Sequence, residues 1–200
     1  MTRPMFELPA RDYRAFIFDC DGTLVDNMPL HQRAWVQALR AHGATFEFGW
    51  ELFMSRAGMA IERTVEELNL QFSLNMDPPR VAADQRRHYE ELMHGVEPIH
   101  EVVAFARSKA GRHPLSVASG GERSIVLRTL RTIDALELFP VVVVAADVAR
   151  GKPAPDMFLL AAEKMGVPPQ DCLVFEDAQL GIEAAHSAGM GAVLVKSQRA

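Results

Sequence analysis

Asp19 and Asp21 stand two residues apart, directly after the apolar run Ala15-Phe16-Ile17-Phe18. In an extended chain, residues i and i+2 point to the same side. The two carboxylates therefore project into one small volume. Two anions that close resist joint ionisation unless a cation lies between them. Gly22 then lets the chain turn sharply. The pair suits Mg²⁺, which takes oxygen ligands and usually keeps several waters. It also suits nucleophilic catalysis, because an aspartate can carry a phosphoryl group as a covalent intermediate. The plain alternative is a strand-end turn with solvated acids. Cys20, between the two aspartates on the opposite strand face, is expected to pack inward as a small hydrophobe.

Three further stretches carry chemistry. Ser119-Gly120-Gly121 follows the apolar Leu115 to Ala118. A hydroxyl, two glycines and the N-terminus of a helix starting near Glu122 make a plausible phosphate cradle. Taken alone, an N-cap serine with a glycine turn accounts for it more simply. Lys152 lies between Gly151 and Pro153, so its backbone is held while its stem can reach inward. It could neutralise an aspartate nucleophile and an incoming phosphoryl group. A surface turn before a helix from Asp156 is the alternative. Glu176 and Asp177 end another apolar segment and could complete an oxygen cage for Mg²⁺. Asp177 could equally serve as a helix N-cap, and both roles can coexist.

The elements that must position these groups are short apolar strands: Phe16 to Phe18, Leu115 to Ala118, Val141 to Val144, Cys172 to Phe175 and Ala192 to Val195. Near-continuous apolar strands alternating with helical patterns indicate an α/β protein, with a parallel sheet between two helical layers in a Rossmann-like core. Residues 27–95 differ, with helical spacing over Leu30 to His42, Ile61 to Leu70 and Arg80 to Met93 and no convincing strand. An all-helical insert, 27–95, is expected to interrupt a core made of 1–26 and 96–200. An insert there overhangs the carboxyl ends of the strands, where ligands bind in such sheets.

Bulk properties narrow the field. The 200 residues are 48% apolar and 24% charged, ordinary for a globular protein, and the formal net charge of −5 argues against nucleic acid as the main partner. Two cysteines, Cys20 and Cys172, make no disulfide framework and fit a reducing cytoplasm. No apolar run reaches transmembrane length, and Met1 to Arg14 has no apolar core of signal-peptide length, so no membrane partner is expected. No heptad run points to a coiled-coil dimer, and a monomer is expected.

Together Asp19-Cys20-Asp21-Gly22-Thr23, Ser119, Lys152 and Glu176-Asp177 resemble, in order and strand-end position, the four motifs of the haloacid dehalogenase superfamily. The resemblance runs from about Ala15 to Val195. It implies that Asp19 is the nucleophile and that Asp21 is the general acid and base. It implies that Ser119 and Lys152 hold the phosphoryl oxygens. Mg²⁺ would be bound by Asp19, the backbone carbonyl of Asp21 and Asp177, with Glu176 direct or through water. The substrate-contacting set it implies is Asp19, Asp21, His31, Ser119, Gly120, Gly121 and Lys152.

An acid at position 21 favours phosphate-ester chemistry over dehalogenation within that superfamily. The helical insert, with His31 and the Ala34-Trp35 step, resembles the cap of the β-phosphoglucomutase-like group. His31 would lie at the hinge or cap base, near the leaving group, or else be a polar residue on an amphipathic helix. Val96-Glu97-Pro98 and the Phe175 to Ile182 segment resemble small sugar phosphatases of that group, with fructose-1-phosphate phosphatases as the nearest type. Where a mutase arginine is expected, three residues after Gly58, stands Ile61. Arg56, Arg63, Arg86 or Arg87 could substitute. The resemblance thus implies a Mg²⁺-dependent phosphatase of small phosphorylated sugars. A β-phosphoglucomutase is the alternative, and a catalytically silent binding protein on this fold is a third reading.

Overall fold

The computed structural model describes residues 5–196; the outermost ends of the expected core segments, 1–4 and 197–200, lie outside the described residues. Strand β1 (Ala15–Phe18) is buried at every position and occupies the centre of a five-stranded sheet. The other strands are β2 (Leu115–Ser119), β3 (Val141–Val144), β4 (Cys172–Glu176) and β5 (Gly191–Leu194). Their order is β3-β2-β1-β4-β5, with every pairing parallel. The winding direction reverses at β1, and the crevice at such a switch point, outside the carboxyl ends of the strands, is where open α/β sheets bind ligands.

All five expected strands are present, β3 with the expected bounds and the others shifted by one residue at one or both ends. β2 continues into Ser119, which registers with Val144, and β4 continues into Glu176, which registers with Leu194. Backbone pairing thus runs one residue past the apolar stretch. β5 starts a residue earlier than its apolar pattern, at Gly191 opposite Leu173.

Alternation along β1 feeds two core layers. Phe16 and Phe18 join Phe175, Leu115 and Val117 under helices α5 (His100–Lys109) and α6 (Arg123–Thr132). Ala15 and Ile17 join Val174, Met157 and Phe158 under α7 (Asp156–Met165) and α8 (Gln179–Ser187). Cys20 is buried in the first layer, as its position between the aspartates requires.

Between β1 and α5 lie only helices: α1 (Met28–Ala41), α2 (Trp50–Met54), α3 (Ile61–Phe72) and α4 (Pro78–Leu92). Trp35, Ala38 and Leu39 of α1 meet Val65, Leu68 and Val81 in an apolar cluster separate from the two sheet layers. Prolines open α1 and α4, where a missing N–H costs nothing. Helix α2, five residues long, is too short for apolar spacing to announce it. The two chain passages into and out of this insert lie side by side, Asp26 N donating to Glu97 O at 2.9 Å. Among the described residues no helix is long and apolar enough to cross a membrane.

Candidate active site

Asp19 extends β1 by one residue, its N–H donating to Phe175 O at 2.9 Å. Its carboxylate is almost wholly buried and accepts from Lys152 Nζ at 2.7 Å. Lys152 reaches there from the loop before α7. Its three donors meet three acceptors: Asp19 Oδ1, Ala118 O at 3.0 Å and Glu176 Oε1 at 2.5 Å. Lys152 is therefore no surface-turn lysine. Its side chain is fully buried, as a charge is only when paired.

Glu176 is held from its other side by Ala178 N, which donates to Oε2 at 3.0 Å. Gly181 makes room for it, since a Cβ there would fall 2.0 Å from Glu176 Oε1. Asp177 rests against Gly22, whose φ of +85° suits glycine and whose missing Cβ would lie 2.2 Å from Asp177 Oδ2. The N-cap of α8 is Ala178, so Asp177 does not cap that helix.

Asp19, Glu176 and Asp177 each offer a carboxylate oxygen, all within 4.8 Å of one another. Burial pushes the Asp19 carboxyl up to about 7; Lys152 opposes that rise, and Glu176 and Asp21 add to it. Burial, with Glu176 and Asp19, also holds Asp177 well above the ordinary carboxylate range. Burial alone would lower the Lys152 ammonium, but Asp19 and Glu176 more than reverse this and hold it charged. Two buried carboxylates and a partly buried third against one ammonium leave an excess of negative charge. This oxygen-only donor set fits a hard divalent cation.

Asp21 is partly exposed, lines the same cavity and has different partners. Asn27 Nδ2 donates to its Oδ1 at 2.5 Å, and His31 Nε2 lies 3.4 Å from the same oxygen. Burial raises Asp21, yet His31 and Asn27 outweigh it and bring the group below the usual range. The two aspartates of one strand end thus sit in opposite electrostatic states.

Ser119 does not cap α6, whose N-cap is Glu122; instead its Oγ accepts from Gly121 N at 3.1 Å, fixing the turn. A Cβ on Gly121 would sit 3.6 Å from Asp21 Oδ2, so the turn and Asp21 face each other. A Cβ on Gly120 would lie 3.2 Å from Gly58 O, and one on Gly58 3.7 Å from Lys152 Cδ. The insert's turn around Gly58 therefore presses on both Gly120 and Lys152.

All the predicted residues except Lys152, which is sealed beneath the floor, line one cavity of about 430 Å³. Its far wall comes from the insert. Asn27, Tyr89 and Gln85 were not anticipated from sequence. Asn27 is the N-cap of α1, and only its lack of a side-chain cap bond reveals another task. Tyr89, in a charge-rich helix, carried no signal.

A family model for haloacid dehalogenase-like hydrolases matches residues 13–189, and the chain belongs to that family. It is 37% identical over 186 residues to the fructose-1-phosphate phosphatase YqaB of Escherichia coli (strain K12), covering 92% of this chain and 97% of that protein. It is 33% identical over 180 residues to a phosphorylated carbohydrates phosphatase of Thermotoga maritima, covering 88% and 82%. The fold superposes on a β-phosphoglucomutase from Clostridium difficile with a TM-score of 0.75 and 25% identity, over 90% of this chain and 83% of that one. Within its family the chain is a hydrolase of the phosphatase type.

Proposed function

We propose that the protein is a Mg²⁺-dependent phosphatase of small sugar monophosphates, working through a phosphoryl group carried transiently on Asp19. One observation carries the reading: Asp19 is paired with buried Lys152 at the floor of a cavity whose walls bring Asp21 opposite the Ser119–Gly121 turn. The relatives named for phosphorylated carbohydrates support the substrate class.

An oxygen of Asp19 attacks phosphorus. The P–O bond to the sugar breaks, its electron pair leaves on the sugar oxygen, and Asp21 supplies the proton. Water then attacks the same phosphorus, Asp21 takes the proton, and Asp19 departs as a carboxylate with inorganic phosphate. In the resting arrangement Asp21 is a carboxylate; an incoming phosphate anion beside it favours the proton-carrying form needed first. Ser119 and the Gly120 and Gly121 backbone hold the phosphoryl oxygens, while Lys152, whose donors are taken by Asp19, Glu176 and Ala118, fixes the nucleophile and adds positive charge beneath them. Asp19, the Asp21 carbonyl, Asp177 and, directly or through water, Glu176 would hold Mg²⁺, which would supply positive charge to those oxygens.

The insert, 27–95, acts as a cap over a core of 1–26 and 96–200, limiting water and shaping specificity, with His31 near the leaving group. The carboxylate pairing of three of the four candidate arginines, Arg63, Arg86 and Arg87, supports one phosphoryl site rather than the two a mutase needs. Arg86 is neutralised by Glu62 at 3.0 Å and Glu122 at 3.6 Å. Arg63 pairs with Glu67 and Arg87 with Asp84. Arg56 lines the cavity with Ile61 and, among the described residues, bonds only neutral groups, Leu52 O, Ser55 Oγ and Gln71. Two free, buried cysteines accord with a monomer in a reducing cytoplasm.

The test is phosphate release from fructose 1-phosphate, glucose 6-phosphate, β-glucose 1-phosphate and 6-phosphogluconate, with Mg²⁺ and with EDTA. Release that EDTA abolishes is expected, with 6-phosphogluconate, which adds a carboxylate to the phosphate, the poorest substrate. Conversion of β-glucose 1-phosphate to glucose 6-phosphate without phosphate release would overturn the reading in favour of a mutase.

A further inference from the structure

We propose that Asn27 and Tyr89 form a positioning relay that clamps one oxygen of Asp21 and leaves the other aimed at the phosphoryl site. The proposal rests on the reading of Asp21 as acid and base.

Asn27 is wholly buried at the junction between β1 and α1. It stands at the N-cap position of α1 but its side chain caps nothing. Instead Nδ2 donates at 2.5 Å to Asp21 Oδ1 and at 2.5 Å to Tyr89 Oη. Its Oδ1 has no hydrogen-bond partner. An uncapped helix end and an unpaired buried carbonyl both cost stability. Exchanging the amide oxygen and nitrogen would set Oδ1 against the Asp21 carboxylate, so the orientation follows from the charge.

Tyr89 comes from α4, 62 residues along the chain. Besides accepting from Asn27, its ring stacks on His31 with centroids 3.7 Å apart and planes 11° from parallel. Gln85, one turn earlier on α4, lies 3.5 Å from His31 Nδ1. Both groups that touch Asp21 Oδ1 therefore lean on the same tyrosine. No described residue donates to Asp21 Oδ2, the oxygen nearest the space over Gly121. A carboxylate held by one oxygen presents the other in a fixed direction, as proton transfer to a leaving oxygen requires. Because α4 belongs to the helical insert, the relay also makes the aim of Asp21 depend on how that insert is seated.

The experiment measures single-turnover phosphoryl transfer to the enzyme from fructose 1-phosphate and from p-nitrophenyl phosphate, whose leaving group departs without a proton. Tyr89→Phe keeps the ring and removes only the hydroxyl. It is expected to slow transfer from the sugar phosphate about tenfold, a fraction of what general acid catalysis contributes, and to slow p-nitrophenyl phosphate far less. In an Asp21→Asn background the same substitution should add almost nothing, because both changes act through one group. Asn27→Leu, similar in shape, should repeat the selectivity and serves if Tyr89→Phe does not fold. Equal slowing on both substrates, or full additivity with Asp21→Asn, would overturn the relay while leaving the phosphatase reading intact. If Asp21→Asn itself does not slow the sugar phosphate more than p-nitrophenyl phosphate, the reading of Asp21 fails and the relay with it.

Discussion

The floor and the far wall of the cavity are both built from ion pairs, yet they are built differently. In the floor, Lys152 joins Asp19 across 133 residues and Glu176 across 24, with side chains 0%, 9% and 1% exposed. In the wall, Arg86 joins Glu62 and Glu122 with side chains 31%, 43% and 51% exposed. Coulomb attraction is several times stronger in the less polar surroundings of the floor, where an unmatched charge is also hardest to tolerate. The floor is fixed by strand ends and by glycines with no room for a Cβ, such as Gly22 and Gly181. The wall uses helix-surface groups that water can replace. Chemistry is therefore expected to reside in the part that tolerates no change, and substrate preference in the part that does.

Lys152→Ala should give the largest break between the two regions. It leaves three carboxylates without their ammonium. Removing one partner of a buried ion pair costs about 3–5 kcal/mol, which a denaturant titration would read. Losing the charge that pairs with Asp19 beneath the reacting centre should lower turnover by about 10²–10³. Added Mg²⁺ should recover part of the stability, because a cation bound to the folded form offsets the missing charge. At the other end, Arg86→Gln should change stability by about 1 kcal/mol or less, as for partly exposed pairs. It should raise KM for the preferred sugar phosphate severalfold with kcat nearly unchanged, the signature of lost uniform binding. A loss from Arg86→Gln comparable to that from Lys152→Ala would erase the distinction and make the wall a second anion site.

The same contrast governs what could be read from the chain. The floor was legible because its residues stand next to apolar strand cores: Asp19 after β1, Ser119 at the end of β2, Glu176 at the end of β4. Strand ends in a parallel sheet converge on one edge, so local pattern carried tertiary information. Gly151 and Pro153 flagged Lys152 for the same kind of reason, a backbone with little freedom. The wall was not legible. Arg86, Arg63 and Arg87 all lie on amphipathic helices, and which of them faces the cavity depends on how α3 and α4 pack. Tyr89 and Gln85 were invisible because their partners, Asn27 and His31, lie 62 and 54 residues away, with no periodicity linking them. Asn27 was disguised by its place at a helix start, where asparagine is ordinary.

The central claim is that Asp19 carries the phosphoryl group. Enzyme mixed with a sugar phosphate and Mg²⁺, quenched in acid within one turnover and digested, can be mapped by mass spectrometry. The account predicts a phosphoryl group on the peptide containing Asp19, lost on alkaline treatment as an acyl phosphate is, and absent from Asp19→Asn. A wild-type enzyme that releases phosphate with that peptide unmodified, or an Asp19→Asn variant that turns over at the wild-type rate, would contradict it.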